Sequence, residues 1–243
     1  MRKRVRQRLF AIVGVGLSVT VCALALLQAR ARHRRNEPAR CQAGPTTPGI
    51  DVSYYQETID WPRVRRAGIR FAFIRVSDGA LQRDARFATN WAEAKRAGVV
   101  RGAYQFFRPD QSVNAQADLM IAAMAGRDAA DLPPVIDIEI DGGLDLSTVA
   151  ERAAAWIDRV RQRLGVEPIV YTGSDLWRNG GAEALEPQSL WLAHYTPGCP
   201  TVPPPWRRWT FWQHTDRGAV PGIIGPVDLD LFAGELGELT AAR

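Results

Sequence analysis

From Gly49 onward, short apolar runs alternate with longer amphipathic stretches. The runs are Ile50–Ser53, Phe71–Val76, Val99–Gln105, Val135–Ile140, Ile169–Thr172, Leu190–His194, Trp209–Gln213 and Val227–Phe232. Runs this short, rich in β-branched and aromatic residues, read as buried strands. Between the early runs the apolar spacing becomes helical. Ile59–Ala67 sets Trp61, Val64 and Ala67 on one face, with Pro62 in the first turn and Gly68 as a stop. Asp84–Ala97 ends at Gly98, and Ser112–Met124 follows. Ser147–Leu164 aligns Trp156, Ile157, Val160 and Leu164 ahead of Gly165. After about residue 190 the runs lie too close together for intervening helices. The pattern predicts an α/β fold: an irregular TIM-like barrel with eight strands and about five helices.

The N-terminal segment follows a different pattern. Leu9–Ala29 is an uncharged, mostly apolar run of 21 residues with Arg or Lys on both sides, long enough to span a bilayer as a helix. We expect residues 1–30 to be a basic N-terminus and transmembrane anchor, with a long signal peptide as the alternative. Residues 31–48 read as a linker and residues 49–243 as the barrel domain. The expected location is extracytoplasmic, tethered to the cytoplasmic membrane, or secreted if the segment is cleaved.

Charge follows the same division. Residues 1–40 hold ten of the 31 Lys/Arg and one of the 26 acids, so the basic balance belongs to the tail. The rest of the chain is slightly acidic and has no basic footprint for nucleic acid. With three histidines and no His/Cys pair at zinc-site spacing, neither a metal nor a cofactor is expected. Gly-x-Ser-x-Gly, P-loop and dinucleotide fingerprints are absent.

Carboxylate chemistry is left. In Leu132-Pro-Pro-Val-Ile-Asp-Ile-Glu-Ile140, Asp137 and Glu139 are spaced i and i+2, which puts both on one face of a strand. Burying two acids there is costly unless something uses or neutralises them. Other polar residues fall near run ends that a barrel would gather at one mouth: Asp51 and Ser53, Asp78, Tyr104 and Gln105, Tyr171, His194 and Tyr195, Gln213, and Asp228. Trp191, Trp206, Trp209 and Trp212 suit either stacking on sugar rings or packing. Each residue has a structural alternative as a cap, a core aromatic or a structural histidine. Of the three cysteines, Cys22 lies in the apolar segment. Cys41 and Cys199 flank the barrel's first strand and a late Pro-rich loop, and in an oxidising compartment such a pair bridges. Two free thiols are the alternative.

Several motifs, in order, resemble the glycoside hydrolase family 25 lysozymes, the Chalaropsis-type N-acetylmuramidases. They are Gly49-Ile-Asp-Val-Ser-Tyr-Tyr-Gln56 with Ile59-Asp-Trp61, Arg101-Gly-Ala-Tyr-Gln-Phe-Phe107, Val135-Ile-Asp-Ile-Glu139, Leu190-Trp-Leu-Ala-His-Tyr195, Phe211-Trp-Gln213 and Gly222-Ile-Ile-Gly-Pro-Val-Asp228. The resemblance implies a modified α/β barrel that cleaves the β-1,4 bond between N-acetylmuramic acid and N-acetylglucosamine in peptidoglycan. Carried over by motif, Glu139 is the general acid/base, Asp137 its partner, and Asp51 and Asp228 the other acids. Tyr104 and Tyr171 line the site, and we expect Gln105, Tyr195, Gln213 and Trp212 to contact substrate. The expected partner is the peptidoglycan glycan strand, bound by a monomer. Many family members carry His at the position of Gln105, Thr-Glu-Gly at Ser77-Asp-Gly79, and Asn at Asp230; these departures bear on pH profile and substrate preference. A catalytically silent wall-binding barrel, or a hydrolase of another N-acetylated polysaccharide, are the rival functions.

Overall fold

A computed structural model describes residue 41 and residues 44–241. The expected anchor and most of the expected linker lie outside these residues. Among the described residues, no helix is long and apolar enough to cross a membrane.

Nine strands form one sheet: β1 (Thr47–Val52), β2 (Phe71–Asp78), β3 (Gln82–Arg83), β4 (Val100–Phe106), β5 (Val135–Ile138), β6 (Ile169–Gly173), β7 (Leu190–Ala193), β8 (Phe211–Gly218) and β9 (Val227–Phe232). Pairing runs β1-β9-β8-β7-β6-β5-β4-β2, and a further β1–β2 pairing closes the ring into an eight-stranded barrel. The two-residue β3 hairpins onto the end of β2 and stands outside the ring. Neighbours from β1 through β8 are parallel, whereas β9 runs antiparallel to both β8 and β1. The barrel's first strand begins at Thr47, within the expected linker.

Five helices accompany the described barrel: α1 (Trp61–Arg66), α2 (Phe87–Arg96), α3 (Val113–Ala123), α4 (Leu146–Leu164) and α5 (Leu236–Ala241). Their starts follow capping chemistry. Asp60, Ser112 and Asp145 side chains accept from backbone N–H groups of the first turns of α1, α3 and α4. Gly165 ends α4 in the left-handed conformation, φ 66°. α4 buries Val149, Ala150, Ala153, Trp156, Ile157 and Val160, a helical stripe worth roughly 1.5–3 kcal/mol per large side chain removed from water. No helix fills the span between β7 and β8. A Pro-rich loop runs there and is stapled to Cys41 by the Cys41–Cys199 disulfide, with Cα atoms 5.0 Å apart.

Strand alternation sorts the side chains into two layers. Facing the helices are Ala72, Ile74, Ile136, Ile138, Val170, Leu190, Leu192 and Leu231. Facing the barrel axis are Phe71, Phe73, Val135, Ile169, Trp191, Phe211 and Phe232. Phe73 stacks on Trp191 at 4.4 Å, and Phe211 meets Phe73 edge-on at 5.2 Å. This aromatic plug sits against two glycines: a Cβ on Gly49 would collide with the Phe71 ring, and one on Gly102 with the Phe73 ring. The barrel is therefore filled at the end where its parallel strands begin.

Candidate active site

The inward positions change character along each strand. On β2, Phe71 and Phe73 give way to Arg75. On β5, Val135 leads to Asp137 and, just past the strand, Glu139. On β6, Ile169 leads to Tyr171, and on β8, Phe211 leads to Gln213. On the antiparallel β9 the order reverses, with Asp228 and Asp230 before Phe232. The result is a cavity of about 210 Å³ above the aromatic plug, lined by these polar residues, apart from the deeper Asp230, together with Asp51, Tyr55, Tyr104, Trp191 and Tyr195. Asp228 pairs directly with Asp51 across the β1–β9 ladder. Its place at the start of a run, which on a parallel strand would put it at the plugged end, serves the mouth because β9 runs backwards.

Hydrogen bonds fix the back wall. Gln213 Nε2 donates to Asp51 Oδ2 at 2.6 Å. Gln213 Oε1 accepts from the Tyr171 hydroxyl at 2.9 Å and from the Tyr195 hydroxyl at 2.7 Å. Trp191 Nε1 donates to Asp230 Oδ1 at 2.8 Å. Opposite, Asp137 and Glu139 lie close enough for each carboxyl to act on the other. Asp137 is buried and its Oδ1 has no donor, whereas Glu139 stands exposed at the mouth.

The electrostatics follow from burial. Asp137 is pushed well up by desolvation and then by Glu139. Glu139 is raised by burial of its carboxyl against the walls, while its contact with Asp137 pulls it down. Both carboxyls of the pair are thus raised, Asp137 being the one further from solvent. Asp51 is raised well above the carboxylate range by burial, Asp228 and Asp230, against the opposing Gln213 hydrogen bond. Asp228 is pushed up to about 6 by burial and Asp216. Burial also raises the Tyr104, Tyr171 and Tyr195 phenols.

Among the residues expected at the site, Glu139, Asp137, Asp51, Asp228, Tyr104, Tyr171, Tyr195, Gln213 and Ser53 all border the cavity. Gln105 and Trp212 do not, and the reason is strand parity. Each neighbours an inward residue and so points outward. Gln105 is fully buried behind the sheet, donating to Ser77 Oγ at 2.8 Å and accepting from Trp156 Nε1 at 2.8 Å. Trp212 donates to the His194 carbonyl within the outer core. Trp206 and Trp209 lie in that core too, leaving Trp191 as the late tryptophan at the cavity. Asp78 is forked by Arg108 at 2.6 and 2.9 Å. His194 Nδ1 accepts from Thr201 N at 2.9 Å, a structural role.

Arg75 and Tyr55 also line the cavity, and neither is among the residues expected there. Arg75 is held by Asp84 at 3.2 Å, and its guanidinium lies 4.8 Å from the Tyr54 ring and 5.3 Å from that of Tyr55. Asp84 also accepts from Tyr54 N at 2.9 Å, so it anchors this corner rather than opening a helix. The available signal was a lone cation at the third inward position of an apolar strand.

A closed α/β barrel with paired carboxyls at its mouth, an acid-lined cavity and an aromatic floor is the architecture of a glycoside hydrolase. The Glycosyl hydrolases family 25 model matches residues 50–223, and the chain belongs to that family. It is 39% identical to YegX of Escherichia coli strain K12 over 207 residues, covering 83% of this chain and 75% of that protein. Lysozyme M1 of Streptomyces globisporus is 37% identical over 207 residues, 79% of this chain and 70% of that one. The solved structure of the bacterial lysozyme from Streptomyces coelicolor superposes with a TM-score of 0.75 at 33% identity, covering 83% of this chain and 98% of that one.

Proposed function

We propose that this peptidoglycan hydrolase, a lysozyme of the muramidase type, cleaves the β-1,4 bond after N-acetylmuramic acid with help from the substrate's own acetamide. The observation that supports it is that Asp137 and Glu139 line one cavity, with Asp137 Oδ1 buried and lacking a donor. A bound acetamide N–H would supply that donor. Its hydrogen bond favours the ionised form of Asp137, and that charge beside it favours the protonated form of Glu139. Glu139 then gives the proton to the glycosidic oxygen as the C1–O bond breaks, while the acetamide carbonyl oxygen closes onto C1. Water, deprotonated by the Glu139 carboxylate, opens that ring and restores the configuration at C1, so the net outcome is retention. Asp137 stabilises the positive charge on the cyclised acetamide, and the acids of β1 and β9 line the opposite wall.

Wild-type protein and Glu139→Gln, assayed on defined peptidoglycan with the released reducing ends identified by mass spectrometry, test this reading. Reducing-end N-acetylmuramic acid from the wild type and none from the variant is the expected result. Ends of another sugar, or undiminished turnover by the variant, would overturn it. Product of inverted anomeric configuration would defeat the acetamide route alone.

The same reading places the barrel outside the cytoplasmic membrane, held by Leu9–Ala29 and acting as a single chain. The uncharged length of that segment and the Cys41–Cys199 bridge, a feature of oxidising compartments, support it.

A further inference from the structure

Among the described residues that line the cavity, Arg75 is the only cation, set against the carboxyls of Asp51, Asp137, Glu139 and Asp228. Its ion pair is made away from them. Nε donates to Asp84 Oδ2 at 3.2 Å, and the two side chains are 11% and 1% exposed. Asp84 does not border the cavity and is itself fixed by the backbone N–H groups of Tyr54 and Arg86, at 2.9 and 2.8 Å. The Tyr54 and Tyr55 rings lie against the guanidinium. Arg75 is thus held at Nε and along its flank, while the donors on its two terminal nitrogens belong to the other edge of the fork. The remaining side-chain N–H groups of the cavity are engaged: Gln213 Nε2 on Asp51, Trp191 Nε1 on Asp230, and Gln56 Nε2 on the Pro226 carbonyl. A ligand carboxylate or carbonyl entering here meets acids on most sides and one oriented cation.

We infer that Arg75 reads the lactyl arm of N-acetylmuramic acid, donating from its terminal N–H groups to the oxygens at the end of that arm, and so separates muramyl glycan from polymers of N-acetylglucosamine. The inference rests on the reading of the cavity as a muramidase site. The two sugars share ring and acetamide. The muramyl sugar differs by a lactyl ether at O3 that ends in a carboxyl, either free or amide-linked to peptide. The added recognition group is therefore an oxygen acceptor, and a planar fork of donors matches it. Placement agrees. β2 lies between β1, which carries Asp51, and β4, whose other neighbour β5 carries Asp137 and Glu139. An arm that reaches Arg75 belongs to a sugar seated between these acids, beside the bond to be cut.

Binding in the Glu139→Gln background, followed by NMR titration, tests this. Two tetrasaccharides are compared, one alternating N-acetylmuramic acid with N-acetylglucosamine and free of peptide, the other of N-acetylglucosamine alone. The parent should bind the muramyl glycan more tightly. Arg75→Met should weaken that complex about 10–100-fold, the loss expected for a charged hydrogen bond, and leave the other complex unchanged. Because Arg75→Met strands Asp84, the double variant Arg75→Met with Asp84→Asn is run beside it and should show the same selective loss. Muramyl glycan with its lactyl carboxyls reduced to alcohols should bind the parent more weakly and the variants no differently. An absent preference for muramyl glycan in the parent overturns the inference. So does an equal loss for both glycans, which marks a structural role, or a preference that survives in the variants. The muramidase reading is judged separately, by the reducing ends that the wild type releases. Muramic acid ends beside an undiminished preference in the variants defeat only the role of Arg75.

Discussion

Gln213 Nε2 donates to Asp51 Oδ2 at 2.6 Å, joining two residues 162 positions apart. The orientation of this amide is set by its neighbours. Its oxygen takes two phenol hydroxyls, so only the NH2 group can face the acid. Gln213→Leu should strand buried partners on both sides, at about 1–3 kcal/mol each. Denaturant titration should report that loss, and kcat/KM should fall at least about tenfold. Wild-type values for both would remove Gln213 from the organisation of the site.

Glu139→Gln should abolish wall lysis while leaving the fold unchanged, since its side chain stands at an open mouth. Asp137→Asn should reduce turnover by several orders of magnitude, because an amide cannot balance charge on the acetamide. Turbidity loss of purified wall, alongside circular dichroism, checks both.

The acids of the site cost stability, and pH reveals the sign. Asp228 has its folded pKa raised from 3.8 to about 6, so the folded state binds more protons between those values. Its penalty is absent below pH 3.8 and grows as pH rises through about 6. Asp228→Asn should therefore stabilise the protein by about 1–3 kcal/mol at pH 7 and by little at pH 4. His214 works the other way. Burial lowers it to about 4, so stability falls as pH drops from 6.5 toward 4. Melting curves of Asp228→Asn and His214→Phe at the two pH values should diverge in opposite directions.

Away from the cavity, Arg101 and Asp131 form a buried fork at 2.6 and 2.9 Å, with the guanidinium 4.0 Å from the Trp91 ring. Asp131→Ala would leave Arg101 charged and unmatched behind the sheet, costing about 3–5 kcal/mol. KM and kcat of the surviving folded fraction should be unchanged. A change in either would mean that the outer layer reaches the chemistry.

The Cys41–Cys199 bridge spans 158 positions. Cys41→Ser with Cys199→Ser should lower stability by about 2–5 kcal/mol, most of it through a less constrained unfolded chain. Urea midpoints with and without reductant should show the same loss in the wild type and none in the double variant.

Much of this architecture is legible in the sequence because interior positions change from apolar to polar along single strands. Val135, Asp137 and Glu139 display the gradient within five residues, and the period of two identifies their common face. Asp228-Leu-Asp230 ahead of Phe232 shows it inverted, which is the mark of an antiparallel strand. The misplacements of Gln105 and Trp212 share one cause. Tyr104-Gln105 and Trp212-Gln213 are adjacent pairs, and only one residue of such a pair can face the axis. A register shift between Arg75 and Ser77 hides the parity of β2 and carries Ser77 outward to Gln105. The Asp84–Arg75 contact is also invisible in sequence. It depends on where the loop after β2 turns back, not on any local periodicity.

The antiparallel β9 has a consequence for the order in which the site is assembled. Asp51 and Asp228 belong to the first and last strands of the ring and meet only when β9 slots between β8 and β1. Until β9 is made and docked, the barrel stays open and Asp51 lacks the acid that faces it, so this strand completes the ring and the site together.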